Sequence, residues 1–171
     1  MRFMNCSDIC PQTIRELAKN ICPSAQSSER QLVKSLFSSG ASHFVTTHIK
    51  SKLHPVSNAA FFNYRPGVPD ALYDDNGQRI LIECKRFVQI NQMNSVSSIQ
   101  TNGCEVRNGL LQLLEYCIFY GERNGILIVF DCIGQQVDSK TRSLVSQFTD
   151  FYGVEVHMIW ISSNPQYYTF I

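Results

Sequence analysis

The chain carries almost no net charge: 15 Lys and Arg stand against 14 Asp and Glu, a formal +1 over 171 residues. Bulk electrostatics therefore does not argue for a polyanionic partner, and any anion-binding surface has to come from a few basic residues placed together. Long apolar runs are missing too. No segment reaches the roughly 20 apolar residues that a bilayer span needs. The polar, cysteine-bearing start, Met1-Arg2-Phe3-Met4-Asn5-Cys6, does not read as a signal peptide. Internal repeats and low-complexity tails are absent. The seven cysteines are odd in number and irregular in spacing, with no C-x-x-C pair. That fits a reducing, cytoplasmic compartment better than a disulfide framework. Cys84, Cys117 and Cys132 lie in apolar runs and read as core packing. Cys6, Cys10 and Cys22 near the start lack an evident fourth partner for an iron–sulfur cluster or zinc site.

What is present is a length and a 44% hydrophobic content sufficient for one domain with a real core. Ile14, Leu17 and Ile21 at helical spacing predict a short helix over 11–21, broken at Cys22-Pro23. Ser27 or Ser28 caps a second helix running to Phe37. A strand is expected over 43–48, an irregular stretch over 50–66, and strands over 68–73 and 78–87. A polar connection rich in Asn, Gln and Ser then fills 88–104. A helix over 107–120, a strand over 125–131, a helix over 139–152 ended by Gly153 and a strand over 154–161 complete the chain. The order is αα-βββ-α-β-α-β.

The middle of this order carries the chemistry. Asp74-Asp75-Asn76-Gly77 is a tight-turn signal, so the flanking strands form a hairpin. Strand side chains alternate, which puts Glu83 and Lys85 on one face and Ile80, Ile82 and Cys84 on the other, toward a core. The hairpin returns Asp70 beside Glu83. Two carboxylates and an ammonium in a half-buried place are costly unless something compensates them. A divalent cation does so.

Pro69-Asp70 followed by Glu83-Cys84-Lys85 resembles the motif of the PD-(D/E)xK nuclease superfamily, and the element order over 28–131 resembles its restriction-endonuclease-like core. The resemblance implies an α/β fold with an α-βββ-α-β catalytic core. Residues 1–27 would be an N-terminal helical appendage and 132–171 a C-terminal helix–strand extension. It implies a metal site for Mg²⁺ or Mn²⁺, with Asp70, Glu83 and the Cys84 backbone carbonyl as ligands. Hard cations of this kind prefer carboxylate oxygens and keep several waters. Lys85 would orient the nucleophilic water or stabilise developing charge. The Cys84 side chain, at the variable position of the motif, reads as packing.

Two further matches extend the resemblance. Ser28-Glu29-Arg30-Gln31-Leu32-Val33, followed by Ser39-Gly40, is similar to the first helix of archaeal Holliday-junction resolvases, which implies a catalytic, metal-binding role for Glu29. Glu29 shares a helix face with Leu32, Val33 and Leu36. It is equally read as a first-turn acid favoured by the helix dipole. Gln112 and Tyr116 stand at i, i+4 on one helix face with Asn108 and Glu105. They resemble the Gln-x-x-x-Tyr that RecB-like nucleases carry near the active site; the alternative is a solvated polar stripe. Gly67-Val68-Pro69-Asp70 also resembles virus-type replication–repair nuclease modules. His43 and His48 lie near the first strand, where viral cap-cleaving endonucleases carry a histidine. His157, in the last apolar strand, reads as a satisfied core residue.

The expected activity is metal-dependent hydrolysis of phosphodiester bonds, in DNA before RNA, by an endonuclease. With bulk charge near zero, nucleic acid would be bound by Lys50, Lys52, Arg65, Arg86 and Arg107. A homodimer follows if two strands are cut, because that calls for two active sites. Two alternatives stay open: a catalytically silent nucleic-acid-binding or assembly module of the same fold, or a hydrolase of other phosphodiesters. A viral-type RNA endonuclease is a variant of the main reading. The polar 88–104 segment favours a large substrate, since Asn, Gln and Ser contact phosphates and base edges.

Overall fold

A computed structural model describes residues 6–38, 42–56, 67–75, 77–88 and 95–171. The element order is α1 (Cys6–Ala18), α2 (Glu29–Phe37), β1 (Phe44–Val45), α3 (Ile49–Lys52), β2 (Ala71–Asp75), β3 (Gln78–Phe87), α4 (Ser95–Tyr120), β4 (Asn124–Asp131), α5 (Ser139–Tyr152), β5 (Glu155–Ser162) and β6 (Thr169–Phe170). A 3₁₀ turn at Pro165–Tyr167 precedes β6. The strands form one mixed sheet in the order β1-β2-β3-β4-β5-β6. β1, β2 and β3 are antiparallel, β3, β4 and β5 are parallel, and β6 returns antiparallel. The α4 and α5 crossovers supply the long connections that parallel pairing requires.

Both faces of the sheet are covered, which is why β4 reads as a continuous apolar run instead of an alternating one. On one face Leu81, Leu127, Val129, Met158 and Trp160 pack beneath Leu110, Leu113, Val145 and Phe148 of α4 and α5. On the other, Ile82, Cys84, Ile126, Ile128 and Ile159 pack beneath Ile14, Leu32 and Leu36 of α1 and α2. At roughly 25 cal/mol per Å² of apolar area removed from water, these two layers are the main stabilising contribution.

Several elements differ from the sequence expectation. α1 starts at Cys6 and holds Pro11 inside it. It ends at Ala18, where i→i−3 bonds from Lys19, Asn20 and Ile21 tighten the chain into a turn. β1 shrinks to two residues because His48 turns left-handed and opens α3. β2 begins at Ala71, since Pro69 has no N–H to give a ladder. The expected polar connection is helical from Ser95 onward: a helix already nucleated by its buried half extends at the low cost of propagation. Residues 89–94 lie outside the described residues. α2 is capped by Ser28, in a reciprocal box with Gln31.

Candidate active site

β3 is longer than the strand it pairs with. Its pairing to β2 ends at Ala71–Ile82, so Glu83 to Phe87 have no partner strand on that side among the described residues. The ladder donors on that edge point outward at every second residue. The Cys84 N–H donates to Asp70 Oδ2 at 2.8 Å, and the Glu29 carboxylate lies near enough to the Arg86 N–H for it to favour the charged form. A carboxylate thus takes a ladder position on that edge, with a second close by. The notch in the sheet is what gathers Asp70, at the entry to β2, and Glu29, at the first turn of α2, around one stretch of β3.

Glu83 and Lys85 project from that stretch toward α4 and are 3% and 9% exposed. Lys85 Nζ donates to Glu83 Oε1 at 2.7 Å. Glu83 Oε2 is buried without a hydrogen-bond partner among the described residues. Such an oxygen costs about 1–3 kcal/mol of desolvation unless something fills its lone pairs. Burial, then the Asp70 charge, push the Glu83 carboxyl up to about 7 against the pull of Lys85. Burial also raises Asp70 and Glu29. Burial alone would lower Lys85, but its hydrogen bond to Glu83 and the charges of Glu83, Glu29 and Asp70 outweigh it and hold the ammonium above its ordinary value.

Tyr116 is 4% exposed on α4. Burial, followed by the charges of Glu83 and Asp70, raises its phenol, so it stays a protonated donor next to the carboxylates. A Cβ on Gly67 would stand 3.3 Å from the Tyr116 hydroxyl, and Tyr120 Oη donates to the Gly67 carbonyl at 3.4 Å. Two tyrosines one helical turn apart therefore seat the segment leading into Asp70. Gly109 lets α4 lie close to the sheet: a Cβ there would fall 2.6 Å from Leu127 Cδ1 and 3.1 Å from Lys85 Cγ. Gln112 is half-buried one turn before Tyr116.

The structure brings Asp70, Glu83, Lys85, Glu29 and Tyr116 together, with Gln112 alongside on α4. Cys84 reaches the site through its backbone only. Its thiol is wholly buried on the opposite face, where burial and then the carboxylates push it far up. The five expected nucleic-acid contacts are scattered. Lys50 and Lys52 are exposed on α3. Arg86 turns inward and donates to the Ser27 carbonyl. Arg107 lines a groove between α4 and α5 with Phe151 and Tyr152, and Arg65 lies outside the described residues. His157 is half-buried, 3.1 Å from Glu155 and stacked on Phe170. A cleft of about 610 Å³ opens beside Asp70 and Glu29, bringing in Arg30 and Thr46, which the sequence did not single out, and His48, which it did. Arg30 follows Glu29 directly, and that adjacency was the available signal.

Among the described residues no three His, Cys, Asp or Glu side chains stand as a ready-made metal cage. The donor set is carboxylate oxygen, with one oxygen unpartnered, and this suits a hard cation that keeps several waters of its own. Comparison with family models, with curated proteins and with solved structures gives no match.

Proposed function

We propose that this protein is a divalent-metal-dependent nuclease that hydrolyses phosphodiester bonds, with DNA favoured over RNA. The observation that carries the reading is the unpartnered, buried Glu83 Oε2 beside Asp70, Glu29 and the Lys85 ammonium. Asp70, Glu83 and Glu29 act on one another and on the Lys85 ammonium through their charges, and a cation would relieve the excess of negative charge. The helix, three antiparallel strands, crossover helix and parallel strand between Glu29 and Asp131 support a restriction-endonuclease-like core.

Asp70 and Glu83 would hold Mg²⁺ or Mn²⁺, with Glu29 adding a carboxylate at the edge of the site. The ion would neutralise the phosphate and acidify a bound water. Lys85, held in place by Glu83 and by the close approach of Gly109, offers a fixed positive charge where negative charge grows on the phosphate. Tyr116, protonated, offers a hydroxyl donor on the α4 side.

The test is incubation of wild type and Lys85→Ala with labelled single-stranded, duplex and branched DNA and with RNA, with Mg²⁺ or Mn²⁺ and an EDTA control. Metal-dependent cutting that disappears in the variant supports the reading and gives the substrate class. Binding without cutting of any substrate rejects it in favour of a silent nucleic-acid-binding module.

A further inference from the structure

The basic side chains around the carboxylates are unequally free. Lys85 is bound to Glu83 and Arg86 to the Ser27 carbonyl. Arg79 is engaged by Asp74 and Glu122 at the turn end of the hairpin. Arg30 and Lys50 are exposed and make no ion pair among the described residues, and both line the cleft that opens beside Asp70 and Glu29. His48 lines it as well. It is the one non-glycine residue with a left-handed backbone among the described residues, at φ 56°, and its side chain makes no cap bond to α3. The Thr46 hydroxyl completes the polar wall.

This set suits a phosphodiester anion. Arg offers a planar fork of donors, Lys a point charge, and imidazole and hydroxyl add further donors. Glu29 and Asp70 line the same cleft, so an anion held there by the cationic side chains lies next to the carboxylate site. The α4 side of the carboxylates is different. It presents Tyr116 and Gln112, both neutral, and the charge of Glu105, which is near enough to act on Glu29. The one basic residue of α4, Arg107, lines the groove toward α5 instead.

We propose that the cleft between α2 and α3 binds the phosphate next to the one being cut, on one side of the cut only, through Arg30, His48 and Lys50. This rests on the nuclease reading and adds to it a polarity: the strand is gripped on a single flank of the scissile bond.

The test uses a single-stranded DNA in which every linkage but one is a neutral methylphosphonate, leaving one cleavable phosphodiester. Two companions carry a second anionic linkage, a slowly hydrolysed phosphorothioate, immediately 5′ or immediately 3′ of it. Wild type should show a KM lower by roughly tenfold for one companion, the scale of a single charge-assisted contact. The other companion should match the parent. Arg30→Ala combined with Lys50→Ala should lose that one-sided gain. His48→Gly, which suits the left-handed backbone, should reduce it without loss of folding. An equal gain on both sides, or a one-sided gain that survives the double variant, overturns this inference and leaves the nuclease reading standing. Absence of metal-dependent cleavage of all three probes, when the same preparation is folded, overturns both.

Discussion

Lys85 Nζ donates to Glu83 Oε1 at 2.7 Å, while the second oxygen of the same carboxylate, also buried, has no hydrogen-bond partner among the described residues. One side chain thus anchors the ammonium and keeps a free lone-pair surface for a ligand. Removing Lys85 strips the site of its only fixed ammonium. Lys85→Ala should lower kcat about 10²–10³-fold, the scale seen when one preorganised electrostatic donor is lost. Steady-state cleavage, with circular dichroism to show an intact fold, checks this; a variant within twofold of wild type would sink the assignment.

Glu83 also ties stability to pH. Its folded value of about 7 lies above the ordinary 4.5. Between those pH values the native state holds a proton that the unfolded chain has released, so stability falls as pH rises through the window. The cost is complete above about pH 7 and is on the order of 3 kcal/mol. Glu83→Gln, which cannot ionise, should therefore gain thermal stability relative to the metal-free wild type as pH rises from 4.5 to 7, while losing cleavage. Melting curves of both proteins across that range, in EDTA, decide it. A Tm difference that is flat with pH would contradict the shift.

Metal binding should carry the opposite dependence. An ion that takes the Glu83 carboxylate must displace its proton below about pH 7. Mg²⁺ affinity should then rise about tenfold per pH unit up to that point and level off above it. Calorimetry in two buffers of different ionisation enthalpy should read one proton released per ion at pH 6. No proton release would mean that Glu83 is not a ligand.

Gly109 should resist even the smallest substitution. Gly109→Ala improves helix propensity by about 1 kcal/mol, yet its methyl would meet Leu127 and the stem of Lys85. Overpacking of this kind costs about 1–3 kcal/mol. The expected result is a lower Tm together with a lower kcat, because the displaced neighbour carries the ammonium. A stabilised, fully active variant would show that α4 does not set the position of Lys85.

Asp131 gives a contrast in which stability and activity separate. It is fully buried and accepts from the Ile133, Gly134 and Gln135 N–H groups and from Ser162 Oγ. Asp131→Ala leaves those donors unsatisfied and should cost about 2–4 kcal/mol. Urea denaturation measures it; a loss below about 1 kcal/mol would mean that solvent replaces the carboxylate.

The hairpin was legible because its signals are local. Asp-Asn-Gly marks the turn, and Gln78–Phe87 has the bounds that its apolar run implies. α5 was legible for the same reason, with Gly153 at φ 63° ending it where the sequence places a stop. The placing of Glu83 and Lys85 on one face needed only the alternation of a strand. Long-range facts were not legible. That β3 outruns β2, and that Asp70 bonds to the vacant edge with Glu29 close by, depends on a register between segments far apart in sequence. Arg86 looked like a surface cation, but its direction is decided by the Ser27 carbonyl, reached only through the packing of α2. The Asp131 bonds were readable in principle, since Asp before Cys-Ile-Gly is an Asx-turn signal.

The brevity of the two outermost strands, β1 and β6, has a consequence for how molecules of this protein meet. Each is two residues long, while the long apolar strands β3, β4 and β5 are shielded in the middle of the sheet. A stub offers few free peptide groups to template a neighbour's ladder, so neither outermost strand is a strong seed for edge-to-edge growth into fibrils.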